Sequence, residues 1–431
     1  MTTTQTMLRR VAVTTFLLSA LAPMTVRAQG NASAAAAGMG DNYTALARNF
    51  NAPAWNPANL GLDGNSRFSI ALSPQFGLGT GPLTFKDLKD YGGVVVPAGV
   101  REQWLAKIAE NGSQSIGGDI NITPLALSIG RLAFSATTTM RANGEIPEAV
   151  AELIFFGNAG RTGSPSDYLL SNSALDANAT STFALSYGKR FGITPVGDFA
   201  IGVTGKYIVG HGMASMRDNG SAITSNPVEV TLDLPVVMTD TSSVNAGSGM
   251  GFDLGASWRV GRLTMSAVAK DVVNTFAWDT DNLYYIPVTA QINQDSSATQ
   301  IDSILPLAAA PQDLQDLLTR RIEDATIKPS LALGVAWKGS NRLTLTADLR
   351  QRFGTGIQLG PETQIGVGAE LKLIPFIPLR AGVTSLSGGM RYSGGLGLEF
   401  GVFNLQAAAS LLDINGRNDT TFGFTMSFGG R

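Results

Sequence analysis

Fourteen short stretches between Arg67 and Phe428 alternate apolar with polar residues, and the connections between them are small and long in turn. A period of two puts the alternate side chains on opposite faces of a strand. In the first stretch, Arg67–Ser73, the residues Phe68, Ile70 and Leu72 share a face. The second and third, 119–129 and 132–140, meet at Gly130-Arg131. The fourth, 181–191, aligns Phe183, Leu185 and Tyr187; the fifth, 198–209, aligns Ile201, Val203, Tyr207 and Val209 against Thr204 and Lys206. Stretches at 249–260 and 263–271 follow, then 330–337 and 342–351, where Leu343, Leu345, Ala347 and Leu349 alternate with Thr344, Thr346, Asp348 and Arg350. The last five lie at 363–373, 377–385, 390–400, 403–411 and 420–428.

The connections carry the stronger signal. Short turns of two to six residues close every second strand, while 74–118, 141–180, 210–248, 272–329, 352–362, 386–389 and 412–419 fall into the other set. Every connection above ten residues belongs to that second set. A soluble sandwich has no reason to keep such parity, whereas a barrel threaded through an outer membrane has short turns inside and free loops outside. An even strand number places both mature termini on the periplasmic side. The pattern therefore predicts an all-β fold: a transmembrane outer-membrane β-barrel of about 14 antiparallel strands, with residues 67–431 as the barrel and its extracellular loops.

Composition agrees. Only 15% of the residues are charged, and 50 of 431 are glycine. That charge is thin for a soluble surface, which would carry about a quarter, and fits strands that turn one face to lipid. Arg9 and Arg10, the apolar run Val11–Leu21 and the small-residue site Val26-Arg27-Ala28 read as an export signal over residues 1–28. The run is shorter than the ~20 residues that a spanning helix needs. Taking Arg9, Arg10 and Arg27 from the 31 basic side chains leaves 28 against 33 acidic ones. No basic patch stands out, so nucleic acid is not expected as a partner. There is no cysteine, which excludes disulfides and thiolate metal sites. With one histidine, His211, at the outer end of the fifth strand and no clustered carboxylates, neither a cofactor nor enzymatic activity is expected.

Residues 29–66 do not alternate and are expected to form an N-terminal plug. A small-residue stretch, Ala32–Ala37, precedes Phe50, Trp55, Asn56, Pro57 and Ala58. The Asn56 side chain can accept from a following amide, and Pro57 removes a donor that the turn would orphan. A small-residue leader, then Asn56-Pro57-Ala58 before the first of fourteen strands, resembles the FadL-type family of outer-membrane channels for hydrophobic compounds. The resemblance covers nearly the whole mature chain in layout and only this short stretch in residues. It implies a hatch inside a 14-stranded barrel, with Asn56-Pro57-Ala58 matching the hatch motif and long outer loops that collect apolar ligands. Other outer-membrane families with related barrels, some tied to secretion, share the layout. The last strand also carries Thr421, Gly423, Met426 and Phe428 at the spacing of the signal read by barrel-assembly machinery, here followed by Gly429-Gly430-Arg431.

The outer connections hold three segments at helical spacing. Arg101–Glu110 presents Trp104, Leu105 and Ile108; 146–156 presents Val150, Leu153, Ile154 and Phe156; 301–322 reads as two helical pieces about Pro311, with Leu305, Leu307, Leu314, Leu317 and Leu318. Their apolar faces either pack on one another as a loop cap or form a groove for greasy molecules. In the second case Trp104, Leu105, Ile108, Phe156, Leu307 and Arg320 are the candidate ligand contacts. Pro124 in the second strand lacks a ladder donor and marks a candidate weak point in the wall. The expected function is passive uptake of hydrophobic small molecules such as fatty acids, with outer-membrane lipids around the barrel. The alternative is a structural or adaptor component of an outer-membrane secretion or attachment assembly.

Overall fold

The computed structural model describes residues 33–159, 161–193, 197–240, 244–293, 297–301, 304–358, 362–414 and 417–430. The export signal and the first residues of the leader lie outside them. Fourteen antiparallel strands form the wall. They are β1 (Phe68–Gly81), β2 (Ser113–Ile129), β3 (Leu132–Pro147), β4 (Ala174–Ile193), β5 (Gly197–Arg217), β6 (Gly247–Val260) and β7 (Leu263–Asn274). There follow β8 (Ser330–Lys338), β9 (Leu343–Arg352), β10 (Thr363–Ile374), β11 (Ile377–Leu386), β12 (Gly389–Phe400), β13 (Phe403–Ile414) and β14 (Arg417–Gly430). Each pairs with its sequence neighbours, and β1 pairs with β14 from Phe68↔Gly430 to Thr80↔Asn418. Closure leaves the wall without an edge, so the hydrogen-bonded ladder runs around it, interrupted only locally at register shifts such as those beside Leu72 and Pro124.

Burial follows the predicted alternation. Leu331, Leu333, Val335 and Trp337 of β8 are exposed on the outer face, whereas Thr346, Asp348 and Arg350 of β9 are buried facing the lumen. Phe191, Trp258, Trp337, Phe376 and Phe400 stand outward beside the short turns, as an aromatic girdle does at a membrane interface.

Strands β1–β5 overrun their sequence-predicted outer ends by several residues, whereas β8–β12 match theirs to within one. β1 continues to Gly81 rather than Ser73, β2 starts at Ser113 rather than Asp119, and β4 and β5 run 20 and 21 residues. About 9–11 residues cross a bilayer; beyond it the outward face needs no apolar residue, and the alternation that marks a strand fades. On the other side, β8, β9 and β11 have only 9, 10 and 10 residues. The barrel therefore has a tall lip at β1–β5 and a low one at β8–β13.

The loops lean on that lip. Helix α1 (Ala34–Gly38) and helix α2 (Ala52–Trp55) belong to the leader; α3 (Phe85–Asp90) and α4 (Ala98–Asn111) follow β1, α5 (Glu148–Phe156) follows β3, and α6 (Gln312–Asp324) precedes β8. The expected first helical piece of 301–322 is instead a two-residue strand, Leu305–Pro306, and a single 3-10 turn, Leu307–Ala309. Pro306 and Pro311 each hold the preceding residue away from helical geometry. A five-stranded sheet built from 168–169, 222–225, 228–233, 288–293 and 297–301 also stands among the loops. Its strands are too short for their alternation to be told from loop sequence.

Candidate functional site

The lumen is shaped by what the inward positions lack. Gly188, Gly202 and Gly255 are direct cross-strand partners on β4, β5 and β6, and together they leave a bare patch of backbone. Asn56-Pro57-Ala58 lies in it. A Cβ on Gly202 would come within 2.3 Å of Pro57 C and Ala58 N, and one on Gly255 within 2.1 Å of Asn56 Oδ1. Only glycine admits so close an approach. A second bare patch at Gly368 and Gly382, partners across β10 and β11, takes Met39 and Gly40.

Polar contacts fix the segment in these cradles. Asn56 Nδ2 donates to the carbonyls of Ala256 at 3.1 Å and Ala267 at 3.2 Å, while its Oδ1 accepts from the Ala58 amide at 2.9 Å. The Thr44 amide donates to Asp348 Oδ2 at 2.8 Å, Thr384 Oγ1 to the Gly40 carbonyl at 2.7 Å, and the Ala34 amide to Thr425 Oγ1 at 2.9 Å. Arg391 pairs with Asp41 at 2.5 Å. At the end nearest the short turns, Arg190 and Arg259 both bind Asp63 and Asp198. Residues 34–62 thus touch strands on opposite sides of the barrel from within.

Of the leader residues singled out in the sequence, Trp55, Asn56, Pro57 and Ala58 are buried in this lumen, and Phe50 is half-buried. Trp55 meets Tyr43 edge-on, with centroids 5.8 Å apart, and the Arg350 guanidinium lies 4.9 Å over its ring.

A cavity of about 190 Å³ opens beside Trp55. Its floor is Pro53, Ala54 and Trp55; its walls include Thr137, Thr139, Thr180 and Thr182; Ile327, Ile357 and Gln358 close it from the loop side. Charged side chains also line it. Lys206 Nζ lies 2.6 Å from Asp253 and 2.8 Å from Asp271, and Lys270 donates to the Ala54 carbonyl. Arg350 is buried with its Nε and Nη1 unpartnered, and its Nη2 is 3.5 Å from the Asp41 carbonyl. The hydroxyl and charged lining was legible only as inward-facing polar phases; nothing in sequence spacing gathers β3, β4, β5, β7 and β9 around one space.

Trp104, Leu105 and Ile108 lie elsewhere, buried in one cluster with Leu83 and Ala151, against which Phe156 packs. The Arg101 guanidinium covers the Phe156 ring at 4.9 Å. Leu307 belongs to a second cluster with Trp278, Tyr285, Leu318 and Ile322. Arg320 is exposed on α6. None of these six lines the cavity. His211 ties the wall to a loop, with Nε2 2.7 Å from Ser181 Oγ and Nδ1 2.9 Å from the Val244 carbonyl.

Pro124 sits at a break in register. The β1–β2 pairing shifts between Ala71 and Ser73, and the β2–β3 pairing between Ile122 and Leu125. Thr123 Oγ1 and Thr137 Oγ1 are 3.0 Å apart at that bulge. Thr137 also lines the cavity, so the irregular stretch of wall adjoins it.

The fold and the lumen define a closed fourteen-stranded, membrane-spanning β-barrel with its leader segment inside. Residues 57–410 match the model of DUF5723, a family of unknown function, and the chain belongs to that family. No curated protein sequence matches it. Among solved structures it is similar to the toluene transporter TbuX of Ralstonia pickettii, at 12% identity and a TM-score of 0.50, over 94% of this chain and 99% of that one. The Pseudomonas putida toluene transporter TodX matches at 10% and 0.50 over 94% and 99%. The CymD monoaromatic hydrocarbon channel matches at 10% and 0.50 over 92% and 97%. At such identities the likeness establishes the barrel fold.

Proposed function

We propose that the protein is an outer-membrane channel for the passive uptake of small organic molecules, with both mature termini in the periplasm and residues 33–66 as its plug. The observation that carries this reading is the cavity bounded by that segment, the threonine-rich wall and the loops. A structural scaffold has no use for a polar space behind a segment seated by reversible hydrogen bonds rather than by a continuous core.

In this reading a solute passes the loops, rests in the cavity, and leaves when the plug shifts or through the wall beside Pro124. Structures with this fold are described as toluene transporters and a monoaromatic hydrocarbon channel, which supports hydrophobic compounds as the solute class; fatty acids are one such class that the proposal includes. The lining adds a condition: a solute that rests there needs a polar end, because hydroxyls and charges would otherwise lose water without replacement. The protein reconstituted in lipid vesicles should accelerate entry of small labelled amphiphiles above empty vesicles. Equal rates in both would overturn the proposal.

A further inference from the structure

The outer face of the wall carries a hollow of its own. It holds about 750 Å³ and runs from Phe199 and Trp258, beside the short turns, across the strands to Met390 near the long connections. Its floor is alanine: Ala256 pairs with Ala267 across β6 and β7, and Ala347 lies two strands further on. Barrel strands tilt by about 35–45°, so the rungs between them climb obliquely through the membrane. The hollow follows those rungs and opens at its lower end above the turn between β6 and β7.

Three basic residues gather at that end. Arg262 stands in the two-residue turn after β6, and Lys338 and Arg342 flank the turn after β8. The two turns are tied together, because the Lys338 amide donates to the Arg262 carbonyl at 2.9 Å and Arg262 Nη1 to the Gly339 carbonyl at 2.8 Å. All three side chains are exposed, and none has a carboxylate partner among the described residues. The acids of this side are engaged elsewhere: Asp63 and Asp198 by Arg190 and Arg259, Glu370 by Arg380, and Glu399 by Lys372. Trp258 and Trp337 stand outward just above the turns, at the level where aromatic side chains meet headgroups. The three cations therefore sit at the depth of phospholipid phosphates.

A hollow that faces lipid gains nothing from the hydrophobic effect, since acyl chains are as apolar as leucine. What it gains is dispersion contact with a chain lying along it. Selectivity then falls to the charges, and arginine presents a fork that matches phosphate. A zwitterionic headgroup brings its own ammonium beside the phosphate; an anionic one does not. We propose that β6–β9 bind one anionic phospholipid from the leaflet on the short-turn side. Its headgroup lies on Arg262, Lys338 and Arg342, and an acyl chain lies in the hollow over Ala256, Ala267 and Ala347. The site is outside the wall and does not depend on whether a solute passes through the lumen.

Native mass spectrometry of the full-length protein tests this, in mild detergent with equimolar phosphatidylglycerol and phosphatidylcholine of identical chains. One phosphatidylglycerol should stay bound at collision energies that strip phosphatidylcholine, with an apparent affinity about tenfold higher. Added salt should weaken that preference, and the triple change Arg262→Gln, Lys338→Gln and Arg342→Gln should erase it. Ala267→Trp fills the hollow from a lipid-facing position and should release the bound lipid while the barrel still assembles. Equal retention of the two lipids would overturn the proposal. So would a run of phosphatidylglycerol adducts of equal strength with no first tight one, which is the behaviour of diffuse surface charge. Unchanged retention in Ala267→Trp would overturn the place given to the acyl chain, and displacement by millimolar inorganic phosphate would overturn the phospholipid in favour of a plain anion. The comparison of the two lipids needs no variant, so a variant that fails to assemble leaves the proposal open to refutation.

Discussion

At the scale of single residues, what the lumen omits matters as much as what it contains. Gly188, Gly202 and Gly255 line up across three strands, and the backbone they bare is filled by Asn56-Pro57-Ala58. Gly202→Val should therefore displace the leader while the fourteen-strand ladder still forms, because the added side chain points into the segment rather than into a strand pair. Protease cleavage near Trp55 should rise, with the barrel's resistance to dodecyl sulfate before boiling unchanged. Asn56→Ala removes four hydrogen bonds in a buried setting and should loosen the same segment by about 1–3 kcal/mol, read by hydrogen exchange at residues 56–62. Asn56-Pro57-Ala58 was visible in the sequence as a turn. The glycines receiving it were visible only as inward phases, since the register that aligns them is a long-range property.

At the scale of elements, alternation located every strand, and the outer ends of β8–β12 to within a residue, but not the outer ends of β1–β5. Where β4 and β5 leave the bilayer, outward positions become polar while the ladder continues, so hydrophobic period stops reporting on structure. The amphipathic loop helices were legible for the same reason in reverse: Trp104, Leu105 and Ile108 of α4 and Leu318 of α6 keep helical spacing and are buried, whereas Leu317, read on the same face, is exposed. Their partners were not legible, and those partners are other loop residues. Leu318→Ala should destabilise the cap around Trp278 by about 2–5 kcal/mol, seen as earlier loss of loop protection in hydrogen exchange with barrel melting unmoved. Helix α3 has a pH signature. Burial pushes the Asp87 carboxyl up, but the Thr84 amide and hydroxyl and the Lys107 ammonium outweigh it, so its pKa lies below the usual 3.8. A lowered folded-state pKa gives stability that is present above that usual value and lost as pH falls through the folded one. The α3 capping box should accordingly persist at neutral pH and open on acidification below the ordinary carboxylate range, with Asp87→Asn removing that dependence in exchange at residues 85–90.

At the scale of the whole molecule, the parity of short and long connections gave the architecture, and the closed wall with its exposed apolar belt is its physical cause. The protein should resist urea and carbonate extraction from outer membranes and migrate faster in detergent gels before boiling than after. Recovery as a soluble periplasmic species would contradict the barrel itself. The central claim is that residues 33–66 plug a channel, and single-channel conductance in planar bilayers tests it most directly. The full chain should show low or rare conductance, and the chain lacking residues 33–59 should insert and conduct steadily at a level several times higher. Equal conductance with and without that segment would contradict the account.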